Sequence, residues 1–404
     1  MPDTTIHSEK LDNQDDMISE VRESVSKLCG DYPGEYWRKL DREQSYPTEF
    51  VKALTDAGFL GALIPEEYGG GGFDYISTGI VSEELEYVDT SLRVAISVHN
   101  GLNSMGILQW GNEEQKQKYL KPQAEGKKIA TYGLTEPNAG SDVVGLETKA
   151  KEDGDYYIIN GSKMWISLAD VADHFITFAK TDSDKGHRGI TAFLLEREFK
   201  GLSSGSIKDK LGVRAGNTGF LNYDDVVVPK ENILGELGEG FKIAMSCLDN
   251  GRFTVAAGAL GLAKAARDAS VKYANERKSF GKKIGEHQLI QQHIAKMELG
   301  IETAEMLILK SGWMKNEGIR NTKETALAKW HATNVAWDAA DAAVQIHGGN
   351  GFSAEFPVER MLRNSRGARI YEGTDEIQQI MQGQYALGYR VDKPLRMKMP
   401  SYKN

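Results

Sequence analysis

Apolar periodicity changes twice along the chain, and this double switch constrains the fold more than any other feature. Residues 17–29, 48–57 and 77–87 carry apolar side chains at helical spacing, interrupted by Pro33, Pro47, Pro65 and the glycine run at 69–72. From about residue 130 short β-rich runs take over at 156–159, 174–181, 190–196 and 220–228, separated by turn clusters such as Asn160-Gly161 and Lys185-Gly186. After Gly240 the helical period returns. Ile290, Ile294, Met297, Ile301, Ala304 and Ile308 form one apolar stripe, and Ala328, Ala332, Val335, Ala339 and Ala343 form a second made of small residues suited to close helix packing. The pattern predicts an α+β protein: a disordered tail over 1–16, an N-terminal helical domain over 17–129, a small antiparallel β domain over 130–240, a C-terminal four-helix bundle over 241–390, and a loose basic tail over 391–404. No internal repeat or low-complexity segment is visible.

Composition narrows the function classes. The chain has 404 residues with 49 Lys+Arg against 58 Asp+Glu, a net charge of -9 with no long basic block, which argues against nucleic acid as the main partner. Two cysteines outside any CxxC, and eight histidines outside any HxxxH or HExxH, point away from a disulfide framework or a metal site and toward a reducing compartment. The longest apolar run, 253–263, is too short to span a bilayer, and the N-terminus lacks a signal core. A cytoplasmic protein without membrane insertion is expected.

Five segments could carry chemistry, and each has a plainer reading. Hydroxyls and backbone amides cluster in Tyr-Gly-Leu-Thr-Glu-Pro-Asn-Ala-Gly-Ser-Asp at 132–142, a domain junction or simply a linker. Lys-Met-Trp-Ile-Ser at 163–167 ends a strand with an aromatic beside a hydroxyl, fit for a flat ring edge or for the core. Arg-Lys-Ser-Phe-Gly at 277–281 could clamp a pyrophosphate or end a helix. Gln-Ile-His-Gly-Gly-Asn-Gly-Phe at 345–352 terminates the small-residue helix; following a helix and not a strand, it is no dinucleotide-binding GxGxxG. Tyr-Glu-Gly-Thr at 371–374 places an acid in an apolar stretch, either a partly buried base or an exposed loop residue.

In this order, over residues 17–388, these segments resemble the acyl-CoA dehydrogenase family. The 133–142 segment is similar to its first signature, and 345–352 with Arg360 to its second. The resemblance implies FAD between the β domain and the bundle. Leu134, Thr135, Gly140 and Ser141 would contact the flavin and its phosphates, with Trp165 against the ring and Ser167, where the family usually has Thr, near its N5. Thr374 and Glu376 would complete the site. Arg277, Phe280, Gln288, Gln345, Gly348 and Gly349 would hold the ADP half of a neighbouring subunit's FAD, which implies a homotetramer built as a dimer of dimers.

The family reaction oxidises an acyl-CoA thioester to a trans-2-enoyl-CoA, with electron-transfer flavoprotein as acceptor. The resemblance implies Glu372 as the base that removes the α-proton, because the residue before Arg252, the other place where the family keeps this base, is Gly251. It implies an oxyanion hole that includes the Glu372 N–H. Ser141, Asp249, Arg252, Tyr371 and Gly373 would lie on the substrate side. Glu86 and Arg93 match a pair in glutaryl-CoA dehydrogenase that grips a second carboxylate, although Val94 stands where Ser is usual there. The expected substrate is a short- or medium-chain or a dicarboxylyl-CoA. The alternatives are an enoyl-CoA reductase running the chemistry in reverse and a catalytically silent flavoprotein. An Arg93 lying in solvent would have no role in selectivity.

Overall fold

The computed structural model describes residues 8–392, with side chains from residue 17. The first layer is helical: α1 (Ser8–Gly30), α2 (Gly34–Glu43), α3 (Thr48–Asp56), α4 (Tyr75–Val88), α5 (Thr90–Ile96), a wide π turn over Ser97–Ser104, α6 (Met105–Trp110) and α7 (Glu113–Ala124). α1 begins inside the segment read as an N-terminal tail; residues 1–7 and most of the C-terminal tail lie outside the described residues. Trp37, Phe50, Leu54, Val81 and Leu85 bury a core of their own between α1–α3 and α4. Side chains cap the helix starts where the sequence offers Asp or Asn: Asp74 accepts from Ser77 N at 2.7 Å, and Asn112 with Gln115 forms a capping box at α7.

Just past the helical spacing read over 77–87, α4 ends at Val88 and α5 begins at Thr90, with the break at Asp89. Asp89 is extended (φ -159) and caps α5 through Ser91 N, while its second oxygen takes Arg360 Nε at 3.0 Å. A buried ion pair thus ties the break to a distant helix.

The central sheet contains β1 (Ala130–Gly133), β2 (Lys149–Asp153), β3 (Tyr156–Ser167), β4 (His174–Lys180), β5 (Ile190–Glu196), β6 (Leu202–Ser206), β7 (Thr218–Pro229) and β8 (Ile233–Leu234), in the order β6-β7-β3-β2-β4-β5-β8 with β1 beside β4. Pairing is antiparallel except where β4 meets β1 and, at one residue pair, β2. β4 and β5 are buried along nearly their whole length, which explains their continuous apolar runs.

The remainder is built on α8 (Gly240–Glu276), followed by the small hairpin β9 (Lys278–Ser279) and β10 (Lys282–Lys283), then α9 (Gln288–Asn316), α10 (Thr322–His347), α11 (Val358–Ala368) and α12 (Asp375–Ala386). At 37 residues, α8 is about 55 Å long and serves as the spine. α10 packs along it, and Ala328, Ala332, Ala336, Ala339 and Ala343 of α10 are all buried. Met297, Ile301, Ala304 and Ile308 of α9 are buried as their spacing requires. No helix among the described residues is long and apolar enough to cross a membrane.

Candidate active site

The turn between α11 and α12 carries Glu372 at φ +54 and Gly373 at φ +92. Two consecutive left-handed residues are costly when one has a side chain, of order 1–3 kcal/mol. Three donors hold the turn. Arg252 Nε reaches the Glu372 carbonyl at 3.0 Å, Gln378 Nε2 lies 3.2 and 3.0 Å from the Glu372 and Gly373 carbonyls, and Lys329 Nζ reaches the Gly373 carbonyl at 2.8 Å. Thr374 then caps α12 through Ile377 N. The Glu372 N–H finds no acceptor among the described residues.

Held this way, the Glu372 carboxylate is directed inward, and its Oε2 is buried with no hydrogen-bond partner. Burial pushes its pKa up to about 7, against the pull of Arg93, Lys329 and Arg252. Gly251 makes room for it: a Cβ there would lie 2.0 Å from Glu372 Oε2 and 2.7 Å from Leu102 Cδ2. The two positions weighed for the base in the sequence therefore adjoin one volume, and a carboxylate in one requires a small residue in the other.

Arg93 is 1% exposed, so the reading that left it in solvent is overturned. Its Nε meets Glu86 Oε2 at 2.7 Å, one Nη donates to the Tyr371 hydroxyl, and its Cζ lies 5.3 Å from the centre of the Tyr371 ring. Glu86 also accepts from Thr90 Oγ1 at 3.0 Å. The pair fits beside α8 because residue 258 is glycine; a Cβ there would come within 2.2 Å of Glu86 Oε2. A desolvated guanidinium needs an anion, and Glu86 supplies it without any from a substrate. Asp249 bonds Arg252 Nη1 at 2.9 Å and takes Thr322 Oγ1 at 2.6 Å. Tyr371, Glu372, Gly373, Arg252, Asp249, Arg93 and Glu86 thus form one constellation.

A second group lies on the sheet. Leu134 is buried, Thr135 half-buried, and Gly140 and Ser141 are exposed. Met164 N bonds the Thr135 carbonyl at 2.9 Å, joining this segment to β3. Between Met164 and Ile166 the β3–β7 register shifts, and Trp165 occupies the irregularity at φ +61 and is 57% exposed. Ser167 accepts from Thr131 Oγ1 at its carbonyl. Underneath, Lys163 Nζ bonds Glu136 Oε1 at 2.6 Å and the Leu134 carbonyl at 3.2 Å, both ends of the ion pair buried. An unpartnered buried carboxylate oxygen and an exposed indole beside free hydroxyls and backbone amides fit a flat, polar-edged ring such as a flavin.

A third group stands apart. Arg277, Phe280 and Gln288 are exposed around the β9–β10 hairpin, with Phe280 94% exposed at φ +51. Gln345, Gly348 and Gly349 are exposed at the end of α10. Tyr273 links the two turns, stacking on His347 at 4.2 Å and accepting from Asn350 Nδ2 at 2.9 Å. Arg277 lies about 37 Å along α8 from Arg252. Glu376 is exposed in the first turn of α12.

The sequence reading missed Lys329, Gln378 and the Glu136–Lys163 pair. Two of these left a trace. Lys329 lies directly beside Ala328 of the small-residue stripe, and Lys163 shares the inward parity of Tyr157 and Ile159 on β3.

Comparison with known proteins agrees with this architecture. Three acyl-CoA dehydrogenase family models match: the N-terminal domain over residues 15–127, the middle domain over 131–226 and the C-terminal domain over 238–386. The chain is 44% identical over 361 residues to a short-chain specific acyl-CoA dehydrogenase of Clostridium acetobutylicum, covering 89% of this chain and 95% of that protein. It is 40% identical over 369 residues to a subunit of the caffeyl-CoA reductase–Etf complex of Acetobacterium woodii, covering 90% and 97%. A glutaryl-CoA dehydrogenase of Mycobacterium smegmatis in complex with FADH2 superposes with a TM-score of 0.88 at 30% identity, covering 95% of this chain and 98% of that one. The chain belongs to the acyl-CoA dehydrogenase family of FAD-dependent oxidoreductases.

Proposed function

We propose that the protein performs α,β-dehydrogenation of a short-chain acyl-CoA to the trans-2-enoyl-CoA, with Glu372 as the base that takes the α-proton. The observation that carries this reading is the buried, donor-free Glu372 Oε2. A carboxylate deprived of solvent and hydrogen bonds is a stronger base than one in water. Bound FAD supplies the acceptor for the Cβ hydride. As the α-proton leaves, negative charge develops on the thioester oxygen, and the free Glu372 N–H is a donor suited to it. Leu134, Thr135, Gly140, Ser141, Trp165, Ser167, Thr374 and Glu376 would hold the flavin, while Ser141, Asp249, Arg252, Tyr371 and Gly373 would face the substrate.

The remote third group supports a shared cofactor site: Arg277, Phe280, Gln288, Gln345, Gly348 and Gly349 are too far from Glu372 to complete it within one chain and would serve a neighbour's FAD. Leu299, Met306 and Trp313, spaced by seven on α9 and 68%, 66% and 52% exposed, support burial of that face in a homotetramer. The name of the Acetobacterium relative supports electron-transfer flavoprotein as redox partner. It also favours a second reading, reduction of an enoyl-CoA, and a carboxyl with a pKa near neutrality can donate to Cα as readily as accept from it.

The deciding experiment is anaerobic titration of the yellow protein with butyryl-CoA. Wild type should bleach. Glu372→Gln should bleach ~10²–10⁴-fold more slowly while retaining FAD and butyryl-CoA binding. Near-normal bleaching in that variant would remove Glu372 from the mechanism.

A further inference from the structure

The charges around the Glu372 turn can be paired off. Arg93 has Glu86, Arg252 has Asp249 at 2.9 Å, and Arg369 has Asp375 at 2.7 Å. Asp375 also accepts from Asn334 Nδ2 at 3.0 Å. Of the charged groups that act directly on the turn, the Glu372 carboxylate and Lys329 have no direct ion pair among the described residues. Lys329 is fully buried on α10 among Ala326, Ala328 and Ala332, where an ammonium is expensive without an anion nearby. Among the described residues its Nζ makes one hydrogen bond, to the carbonyl of Gly373, the residue after Glu372.

We infer that Lys329 is a positioning residue for proton transfer: it clamps the left-handed turn through the Gly373 carbonyl, and its charge, which has no direct ion pair, joins those of Arg93 and Arg252 in favouring the ionised form of Glu372. The inference rests on Glu372 being the base and adds a second function to the bundle core. Arg252 and Gln378 share the clamping. Lys329 differs from them because Gln378 is neutral and Arg252 already has its carboxylate. The charged groups facing Lys329 are Asp375, Glu372, Arg252 and Arg369, and those facing Glu372 are Arg93, Lys329 and Arg252. Removing the lysine therefore leaves the turn with one fewer donor and Glu372 with a weaker reason to ionise.

The test compares FAD-loaded wild type, Lys329→Met, Lys329→Gln and Glu372→Gln. The readouts are the pH dependence of kcat/KM for butyryl-CoA and an infrared titration of the carboxyl C=O band that disappears in Glu372→Gln. Lys329→Met should raise the pKa seen by both readouts by about one unit, the scale of a lost neighbouring charge. It should slow bleaching about 10²-fold at neutral pH, the scale of a displaced catalytic group, with FAD content and butyryl-CoA affinity unchanged. Lys329→Gln retains a donor without the charge. It should show the same pKa rise with a smaller rate loss, and it carries the test should the methionine variant not fold. Titration of both variants at the wild-type pKa would overturn the role of Lys329 while leaving Glu372 as base. Turnover by Glu372→Gln would instead overturn the base itself, and this inference with it.

Discussion

Glu136 and Glu372 are both carboxylates enclosed by protein, and the fold treats them in opposite ways. Burial pushes the pKa of Glu136 up, but Lys163, Thr148 and the Glu147 amide more than offset it and hold it below the usual range. Its oxygens accept from Lys163 Nζ at 2.6 Å, Glu147 N at 2.5 Å and Thr148 N at 3.1 Å. Glu372 is half-buried as a residue, but its Oε2 is enclosed with no direct donor, and cations act on it only from a distance. The satisfied carboxylate fixes a backbone segment; the unsatisfied one is available to a proton. Hydrogen-bond supply, more than depth of burial, separates structural from reactive acid.

The comparison can be broken first at its stable member. Lys163→Met leaves Glu136 buried without its cation and should cost about 3–5 kcal/mol of unfolding free energy. The 133–142 segment should loosen with it, so FAD retention should fall alongside denaturant stability. Intact FAD binding at wild-type stability would show that the pair does not organise the segment.

Arg93 offers the next test, since it too is a buried cation matched to a carboxylate. Arg93→Ala should cost about 2–5 kcal/mol, because it strands Glu86. The functional question is separated from this cost by the kcat/KM ratio for glutaryl-CoA over butyryl-CoA. With Glu86 already occupying the guanidinium, the wild-type ratio should be below one, and Arg93→Ala should leave it unchanged. A ratio above one that collapses in the variant would assign a dicarboxylyl substrate.

A smaller effect is expected on the reactive side. Gly251→Ala introduces a Cβ 2.0 Å from Glu372 Oε2, so the carboxylate must move. A displacement on this scale should lower the bleaching rate about 10²-fold with FAD content unchanged. Wild-type rates would mean that the base has slack in its position.

The architecture was legible because period alone separates the strands at 156–159, 174–181 and 190–196 from the stripes at 290–308 and 328–343. The acid of Tyr-Glu-Gly-Thr was visible as either a partly buried base or an exposed loop residue, and only the family resemblance singled out Glu372. What the sequence hid depends on partners far along the chain. The break at Asp89 is tied to Arg360, and the π turn over Ser97–Ser104 left no signal in the spacing. The irregularity at Trp165 depends on the register of β7. Lys329 acquires its meaning only when α10 is set against the 371–374 turn.

The mildest prediction separates the two carboxylates by pH. Glu372 must be ionised to accept a proton, and its pKa is about 7. Hence kcat/KM for butyryl-CoA should fall about tenfold for each pH unit below 7 and level off above it. Stability should move the other way. A carboxyl whose pKa is raised on folding favours the folded state fully at pH values below its unfolded pKa, and that contribution is lost as pH rises toward 7. Glu372→Gln removes this dependence, so the variant should gain on wild type in urea midpoint between pH 5 and pH 8. Glu136 has the opposite sign: its depressed pKa gives a contribution present at neutral pH and lost only on acidification. A rate profile flat from pH 6 to 8, together with parallel stability curves for wild type and Glu372→Gln, would mean that Glu372 is as well satisfied as Glu136 and that the contrast between them fails.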